Sequence, residues 1–311
     1  MGSGKGRAKR TRTATQANND TVSLRNFGRG KVPARRHINP DGELGGWVAE
    51  TAKVARSVYV GRSARVWGQV WLDGSVEVND EAQVYGHASL KDGAVVAGKA
   101  HVSGTAKLSG AASVYGDAHV DGNASLGDAA EVYEQAHVFG NARLSDRVRV
   151  LGDAIVNDEV RLADKAKISG NACVRENATV RGGAKVSGSA YIGEKACVSG
   201  RAKVSGNASV IGSAQVSGEA TIEERALVTN SAQVFGRAAV SYEAQVYGHA
   251  EVCGRACVTG HAQVCGTANV LGEAMICGRE KIESGRHDGS GNKAKIVYAS
   301  LGAEDIETVT F

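Results

Sequence analysis

The chain carries an aliphatic residue at every sixth position from Val48 to Ile282, which makes 40 consecutive hexads without an insertion. The position two residues before the aliphatic is Ala in 33 hexads, and the position two residues after it is Gly in 24 and Asp, Glu or Asn in a further 12. Two inward side chains separated by one outward side chain are typical of a short strand. Gly, Asn and Asp favour tight turns because they tolerate positive φ. Each hexad is therefore predicted to be a short strand followed by a turn, and no helical period of 3.6 residues runs through this span.

Three such hexads can close one triangular coil, in which each strand pairs in parallel with the strand one coil below. Outward side chains of one type should then recur at every third hexad. Four sets do so: His101, His119 and His137; Lys167, Lys185 and Lys203; Trp67 and Tyr85; Tyr115 and Tyr133. We therefore predict an all-β fold, a single-stranded parallel β-helix (β-solenoid) of about 13 triangular 18-residue coils.

Charge and composition divide the chain into four segments. Residues 1–38 hold ten Lys and Arg and one acid, for a net charge of +9, and have few apolar side chains, so they are predicted to be a disordered basic arm. Residues 39–47 are expected to cap the first coil and residues 48–282 to form the solenoid. Residues 283–311 are expected to cap the last coil, with a possible hairpin of 295–299 and 306–311. Caps are needed because open sheet ends otherwise template aggregation.

One face of the predicted solenoid, the face containing Val66, Val84 and Val102, carries a long apolar and aromatic strip. Monomers rarely expose so large an apolar patch, so self-association as a dimer or trimer is the simplest consequence. The predicted interface residues are Trp67, Tyr85, His101, His119, His137, Phe139, Ile155, Tyr191, Ile211, Leu227 and Tyr247.

Clustered basic residues predict an anionic partner. The arm could bind nucleic acid or another polyanion, or it could serve only as a solubilising tail. A second basic row lies on the face containing Val186, and the alternative there is an ordinary solvated surface. The predicted anion-binding residues are Lys5, Arg7, Lys9, Arg10, Arg12, Arg35, Arg36, Arg149, Lys167, Lys185 and Lys203.

The three histidines that recur at every third hexad could bind a metal, act as a general base or pack in an interface. Zinc requires ligands that converge at about 2.0–2.1 Å in a tetrahedron, whereas a straight ladder diverges and no Asp or Glu falls in its column. We therefore predict no metal site and favour interface packing, because partly buried histidines are common without a chemical role.

The sequence also bears on location. It has no stretch of 18 or more apolar residues and no apolar segment behind its basic start, so neither a transmembrane segment nor an export signal is predicted. Six cysteines without an export signal indicate a reducing compartment, the cytoplasm or another intracellular space. Association with a virion is the alternative location.

The hexads resemble those of the hexapeptide-repeat proteins that form left-handed parallel β-helices, over about three-quarters of the chain. The opening ELGGWV at 43–48, followed by V-x-G-x-A-x repeats, is similar to a group of bacterial and phage proteins labelled as acetyl- or acyltransferases. The left hand is implied by this resemblance alone. So is a catalytic role: acyltransferases of the family use a histidine near a trimer junction as general base, with acyl-CoA in the adjacent groove, which implies His101, His119 or His137 here.

Two functions follow as hypotheses. The first is a non-enzymatic, self-associating β-solenoid that acts as a scaffold or binding module without a cofactor, its basic arm contacting an anionic partner. The second is a CoA-dependent acyltransferase with a histidine base and acetyl-CoA or another acyl-CoA as the donor. The first is favoured because 40 uninterrupted hexads leave no inserted loop to wall an acceptor pocket.

Overall fold

A computed structural model describes residues 21–28 and 30–290, which contain strands and turns and no helix. The described residues fall into two compact units, divided between Ala163 and Asp164. Within these residues, no helix is long and apolar enough to cross a membrane. The strands recur as the hexads predict, one in each hexad of the repeat.

The strands of the first unit are, in chain order, β1 (Ser23–Asn26), β2 (Lys31–Ile38), β3 (Leu44–Ala49), β4 (Lys53–Val54), β5 (Tyr59–Val60), β6 (Arg65–Val66), β7 (Trp71–Leu72), β8 (Glu77–Val78), β9 (Gln83–Val84), β10 (Ser89–Leu90), β11 (Val95–Val96), β12 (His101–Val102), β13 (Lys107–Leu108), β14 (Ser113–Val114), β15 (His119–Val120), β16 (Ser125–Leu126), β17 (Glu131–Val132), β18 (His137–Val138), β19 (Arg143–Leu144), β20 (Arg149–Val150), β21 (Ile155–Val156) and β22 (Arg161–Leu162).

The strands of the second unit are β23 (Lys167–Ile168), β24 (Cys173–Val174), β25 (Thr179–Val180), β26 (Lys185–Val186), β27 (Tyr191–Ile192), β28 (Cys197–Val198), β29 (Lys203–Val204), β30 (Ser209–Val210), β31 (Gln215–Val216), β32 (Thr221–Ile222), β33 (Leu227–Val228), β34 (Gln233–Val234), β35 (Ala239–Val240), β36 (Gln245–Val246), β37 (Glu251–Val252), β38 (Cys257–Val258), β39 (Gln263–Val264), β40 (Asn269–Val270), β41 (Met275–Ile276), β42 (Lys281–Ile282) and β43 (Arg286–His287).

Every third strand pairs in parallel, in the register that the hexads predict. In the first unit, for example, Val84 of β9 pairs with Val102 of β12, which pairs with Val120 of β15. The strands of this unit therefore form three faces: face 1 runs from β3 and β6 to β21, face 2 from β4 and β7 to β22, and face 3 from β5 and β8 to β20. The same register holds in the second unit, so the prediction of a β-solenoid of about 13 turns is confirmed.

The core is built from the paired inward positions of the hexads. The repeated valines, leucines, isoleucines and alanines are almost all fully buried. On face 2 of the first unit the aliphatic is Leu in six successive coils, namely Leu72, Leu90, Leu108, Leu126, Leu144 and Leu162. Burial of each Val or Leu contributes roughly 1.5–3 kcal/mol, and the small alanine two residues earlier in each hexad occupies little of the interior.

The turns explain the glycines of the repeat. Gly86 has a φ of +77°, and a Cβ at that position would lie 3.0 Å from the carbonyl oxygen of Gly104 in the next coil. Where the turn residue is acidic, the carboxylate instead accepts a hydrogen bond from the next turn. Asp92, with a φ of 62°, accepts one from the Gly110 amide at 3.0 Å. Asp and Glu therefore replace Gly where their side chain satisfies a backbone N–H of the following coil.

The first end of the solenoid differs from the predicted boundary at residue 38. β1 and β2 form a hairpin in which they pair antiparallel, and β2 pairs antiparallel with β3. Phe27 and Ala34 of this hairpin pack on Ala49 as a buried cluster. The predicted disordered arm therefore extends too far along the chain, because a few apolar contacts and a ladder of backbone hydrogen bonds suffice to order β1 and β2. Residues 1–20 lie outside the described residues.

Asn39 and β43 lie at the two ends of the described repeat. Asn39, inside the predicted cap of 39–47, is buried, and its side-chain amide bonds both the N–H and the carbonyl of Val60. At the other end, β43 pairs with β40 and matches Arg286 to Asn269, so this last coil is slightly shorter than those before it. Parallel pairing thus continues beyond the predicted limit of 282. The proposed hairpin of 295–299 and 306–311 lies outside the described residues.

Candidate interaction surface

Face 1 of the first unit carries a continuous stack of aromatic rings. The side chains before and after each buried aliphatic point outward, so rings one coil apart meet at strand spacing. Trp67 and Tyr85 stack with their centroids 4.5 Å apart and an angle of 4° between their planes, and Phe27 of the hairpin extends the stack onto Trp67 at 5.2 Å. Tyr85 then meets His101 edge-on at 6.1 Å.

The three predicted histidines continue this stack. His101 and His119 are stacked at 4.8 Å, His119 and His137 meet at 5.9 Å, and His137 lies 4.4 Å from Phe139 between ring centroids. We call this set of Trp67, Tyr85, His101, His119, His137 and Phe139 the aromatic column. It brings six of the predicted interface residues into one contiguous surface, and His119 is its most exposed histidine.

An acidic partner of the histidines was missed at the sequence level. Asp121 Oδ2 lies 3.0 Å from His137 Nε2. Asp121 is not in the histidine column, which is why the column search overlooked it. It points outward directly after β15, which makes it a diagonal neighbour of His137 in the next coil. Phe27 was also missed, because it reaches Trp67 only through the unexpected hairpin.

Burial shifts the protonation of one histidine in the column. The pKa of His101 is lowered, first by loss of hydration and then by the charge of His119, while the carboxylate of Asp117 acts in the opposite direction. His101 therefore favours its neutral form at neutral pH. A neutral imidazole is compatible with the close stacking against His119, which two imidazolium ions would resist.

The other predicted interface residues are more scattered. Ile155, in β21, the last strand of face 1, is 38% exposed. In the second unit, Ser209 pairs with both Tyr191 and Leu227, so a small polar side chain lies between them in register. Ile211 and Tyr247 are half-buried, and the Tyr247 hydroxyl donates to Gln263 Oε1 at 3.2 Å. The second unit thus presents separated apolar side chains along its strands β24 to β42.

The predicted anion-binding residues have different environments. Arg35 and Arg36 lie in β2, where the Arg36 guanidinium is 5.5 Å from the Trp47 ring centroid. Arg149 is paired with Glu131 at 3.3 Å, which reduces its capacity for an external anion. In the second unit, Lys167, Lys185 and Lys203 form the predicted row in direct register. Lys5, Arg7, Lys9, Arg10 and Arg12 lie outside the described residues.

Within residues 21–28 and 30–290, no group of three or more His, Cys, Asp or Glu side chains could hold a metal ion. The first unit has a cleft of about 350 Å³ lined by residues that include Tyr59 and Glu77. A second cleft of about 400 Å³ is lined by residues that include Lys107 and Arg143. Neither cleft is lined by a histidine of the aromatic column.

Comparison with protein-family models and with curated proteins finds no match to this chain. The fold therefore defines the class on its own: this is a β-solenoid repeat protein in which each strand pairs with the strand three hexads away.

Proposed function

We propose that the protein is a non-enzymatic β-solenoid scaffold that self-associates through the aromatic column and binds an anionic partner through its basic arm. The observation that carries the proposal is the unbroken run of contacting rings from Trp67 to Phe139 on one outward face. The occupant of this face would be a second copy of the chain. We further propose that the chain is a relative of the hexapeptide-repeat proteins, with their left hand.

The column has the properties of a good interface. Aromatic side chains bury a large area and lose little conformational entropy when they are already held by their neighbours. Here each ring contacts at least one neighbouring ring, so association would order few additional torsions. Charged residues are sparse on face 1. Apart from the histidines, the outward positions of β6 to β21 carry two charged residues, Arg65 and Asp121. Depletion of charge from the centre and enrichment in aromatic rings are typical of protein interfaces.

The arm supplies the second half of the proposal. Its excess of Lys and Arg suits a sequence-independent contact with a polyanion, in which counterion release supplies the affinity. Arg25 is engaged within the hairpin, where its guanidinium lies 3.8 Å from the Trp47 ring centroid. The cations of residues 1–12 are therefore the better candidates for this contact.

A double charge substitution tests self-association. Tyr85→Asp combined with Phe139→Asp places two carboxylates in the column and should lower the molar mass measured by light scattering. The matched control is Tyr115→Asp combined with Tyr133→Asp, because these tyrosines form a similar stack on face 3, with centroids 4.9 Å apart. The control should retain the mass of the unmodified protein. A monomeric unmodified protein, or equal mass for all three, would contradict the proposal.

Acyl transfer is the second candidate, and one observation favours it. The contact of His137 with Asp121 could orient the imidazole so that its other nitrogen accepts a proton from an acceptor hydroxyl or amine. The acceptor would then attack the thioester carbonyl of an acyl-CoA, and the CoA thiolate would leave and take up a proton. Release of free thiol from acetyl-CoA, lost in His137→Gln and kept in His87→Gln, would support this candidate. Its rank is lower because the described clefts do not adjoin His137.

A further inference from the structure

The positive charge of the first unit's strands is concentrated on face 2. The outward positions of β4 to β22 on this face carry five cations and one carboxylate, Asp73; the cations are Lys53, Lys91, Lys107, Arg143 and Arg161. The equivalent positions on face 3 carry Glu77, Glu131 and Arg149. Neither the arm nor the lysine row of the second unit includes any of these five cations.

The cations of face 2 are arranged at a cost to stability. Arg143 of β19 pairs directly with Arg161 of β22, and Ser125 alone separates Arg143 from Lys107 in the same column. Like charges directly opposite each other in neighbouring strands are destabilising. Within the described residues, none of Lys107, Arg143 and Arg161 forms an ion pair, whereas Arg149 on face 3 does. An external anion would remove this repulsion.

A polar cleft lies beside the same three cations. It measures about 400 Å³ and is lined by Lys107, Asn123, Ser125, Asn141, Arg143, Glu159 and Arg161. The amide of Asn123 donates to Asn141 Oδ1 at 3.0 Å, which holds the two side chains in a ladder at its edge. Two guanidinium groups, an ammonium and a hydroxyl are therefore available as donors, and guanidinium groups suit the oxygens of a phosphate. Glu159 is the acidic residue of the lining.

An exposed indole extends the surface. Trp71 of β7 is 47% exposed and pairs in register with Lys53 and Ser89, and Ser89 in turn pairs with Lys107. The Lys91 ammonium lies 4.3 Å from the Trp71 ring centroid. From Lys53 to Arg161 the column spans six coil steps, or about 29 Å at a strand spacing of about 4.8 Å. A line of cations with an aromatic platform is the arrangement that binds single strands without regard to sequence.

We propose that face 2 of the first unit binds a single-stranded nucleic acid. Lys107, Arg143 and Arg161 contact its phosphates along the solenoid, and Trp71 stacks on a base. The occupant is a single strand because its bases are free to stack on Trp71, whereas a duplex keeps them paired, and because a sulfated polysaccharide supplies anions without aromatic bases.

The test compares two double substitutions in the full-length protein. Fluorescence anisotropy measures binding of a labelled thymidine oligonucleotide of about 20 nucleotides at two salt concentrations. Arg143→Ala with Arg161→Ala should weaken binding about tenfold or more and lower the salt slope by about 1.4, since each lost phosphate contact on a single strand removes about 0.7. Lys99→Ala with Lys195→Ala, two exposed turn cations outside face 2, is the control and should bind as the unmodified protein does.

A stability measurement separates loss of the site from loss of the fold. Because Arg143 faces Arg161, the double Ala variant should unfold at the same temperature as the unmodified protein or at a higher one. Unchanged oligonucleotide affinity in that variant would overturn the proposal. So would a loss of affinity in the Lys99 and Lys195 control that equals the loss in the Arg variant.

Trp71→Ala distinguishes the class of ligand. This variant should weaken binding of the oligonucleotide and leave binding of a sulfated oligosaccharide unchanged. If both probes bind equally well and neither responds to Trp71→Ala, face 2 is a general polyanion surface and the nucleic-acid proposal is wrong. Replacing Lys5, Arg7, Lys9, Arg10 and Arg12 by Gln tests the proposed role of the arm separately, because it leaves face 2 intact.

Discussion

Replacing Gly104 by Ala should destabilise the solenoid although it adds one methyl group. Gly104 has a φ of +64°, and a Cβ there would lie 2.5 Å from the Gly122 carbonyl oxygen in the next coil. The left-handed conformation costs an L-residue about 1–2 kcal/mol. The same carbonyl accepts the Thr105 N–H at 2.6 Å, and losing that bond costs about 0.5–1.5 kcal/mol. Together these effects predict a loss of about 2–3 kcal/mol.

Gly127 provides the matched control in the same unit. Its φ is not in the left-handed region, and the nearest atom to a Cβ there is Ser109 Oγ at 3.8 Å. Gly127→Ala should therefore stabilise the protein by about 0.4–1 kcal/mol, because Ala restricts the unfolded chain more than Gly does. Urea denaturation of both variants, compared at unchanged m values, measures the difference.

A third variant tests the mechanism itself. Acidic residues occupy equivalent turns, where Asp80 accepts the Gly98 N–H at 3.0 Å across the coil boundary. Gly104→Asp should accordingly be less destabilising than Gly104→Ala by about 1 kcal/mol, because its carboxylate can accept the Gly122 N–H. Equal midpoints for Gly104→Ala and Gly127→Ala would refute the steric argument. A lower midpoint for Gly104→Asp than for Gly104→Ala would refute the role given to the acidic turns.

Two further predictions concern the column and the hairpin. The pKa of His101 is lowered from its ordinary value of 6.5, mainly by burial. The folded state therefore binds fewer protons than the unfolded state, so stability and self-association should be full above pH 6.5 and decline as the pH falls below it. Sedimentation at about pH 5 and pH 8 measures this, and His101→Gln should reduce the dependence; identical oligomers at both pH values would contradict it. Phe27→Ala removes a buried ring stacked on Trp67 and should destabilise the hairpin by up to about 3–5 kcal/mol. Because the first sheet edge then becomes exposed, light scattering on heating should increase. Leu24→Ala, at an exposed position of β1, is the control. If Phe27→Ala scatters no more light than this control, the hairpin does not protect this edge.

Much of the candidate surface could be predicted once the coil length was known. The Trp67–Tyr85 pair and the ladder of His101, His119 and His137 follow from the 18-residue register, because outward side chains one coil apart must lie at strand spacing. Asp121 was missed because its contact with His137 is diagonal and joins two different outward columns. The cations of face 2 were missed because Ser125 interrupts the column between Lys107 and the adjacent pair of Arg143 and Arg161, so no uniform ladder of three marks them in the sequence.

The sequence alone determined the strands, the turns, the inward residues and the coil length of this protein. It could do so because every hexad repeats the same local pattern, and the core of a solenoid is the sum of those repeats. The tertiary structure decided the rest: that β1 and β2 form a hairpin on β3, and that a polar cleft lies beside Arg143 and Arg161. These features depend on pairing between segments that share no repeat or on the combined environment of several coils. Periodicity along one chain does not encode either of them.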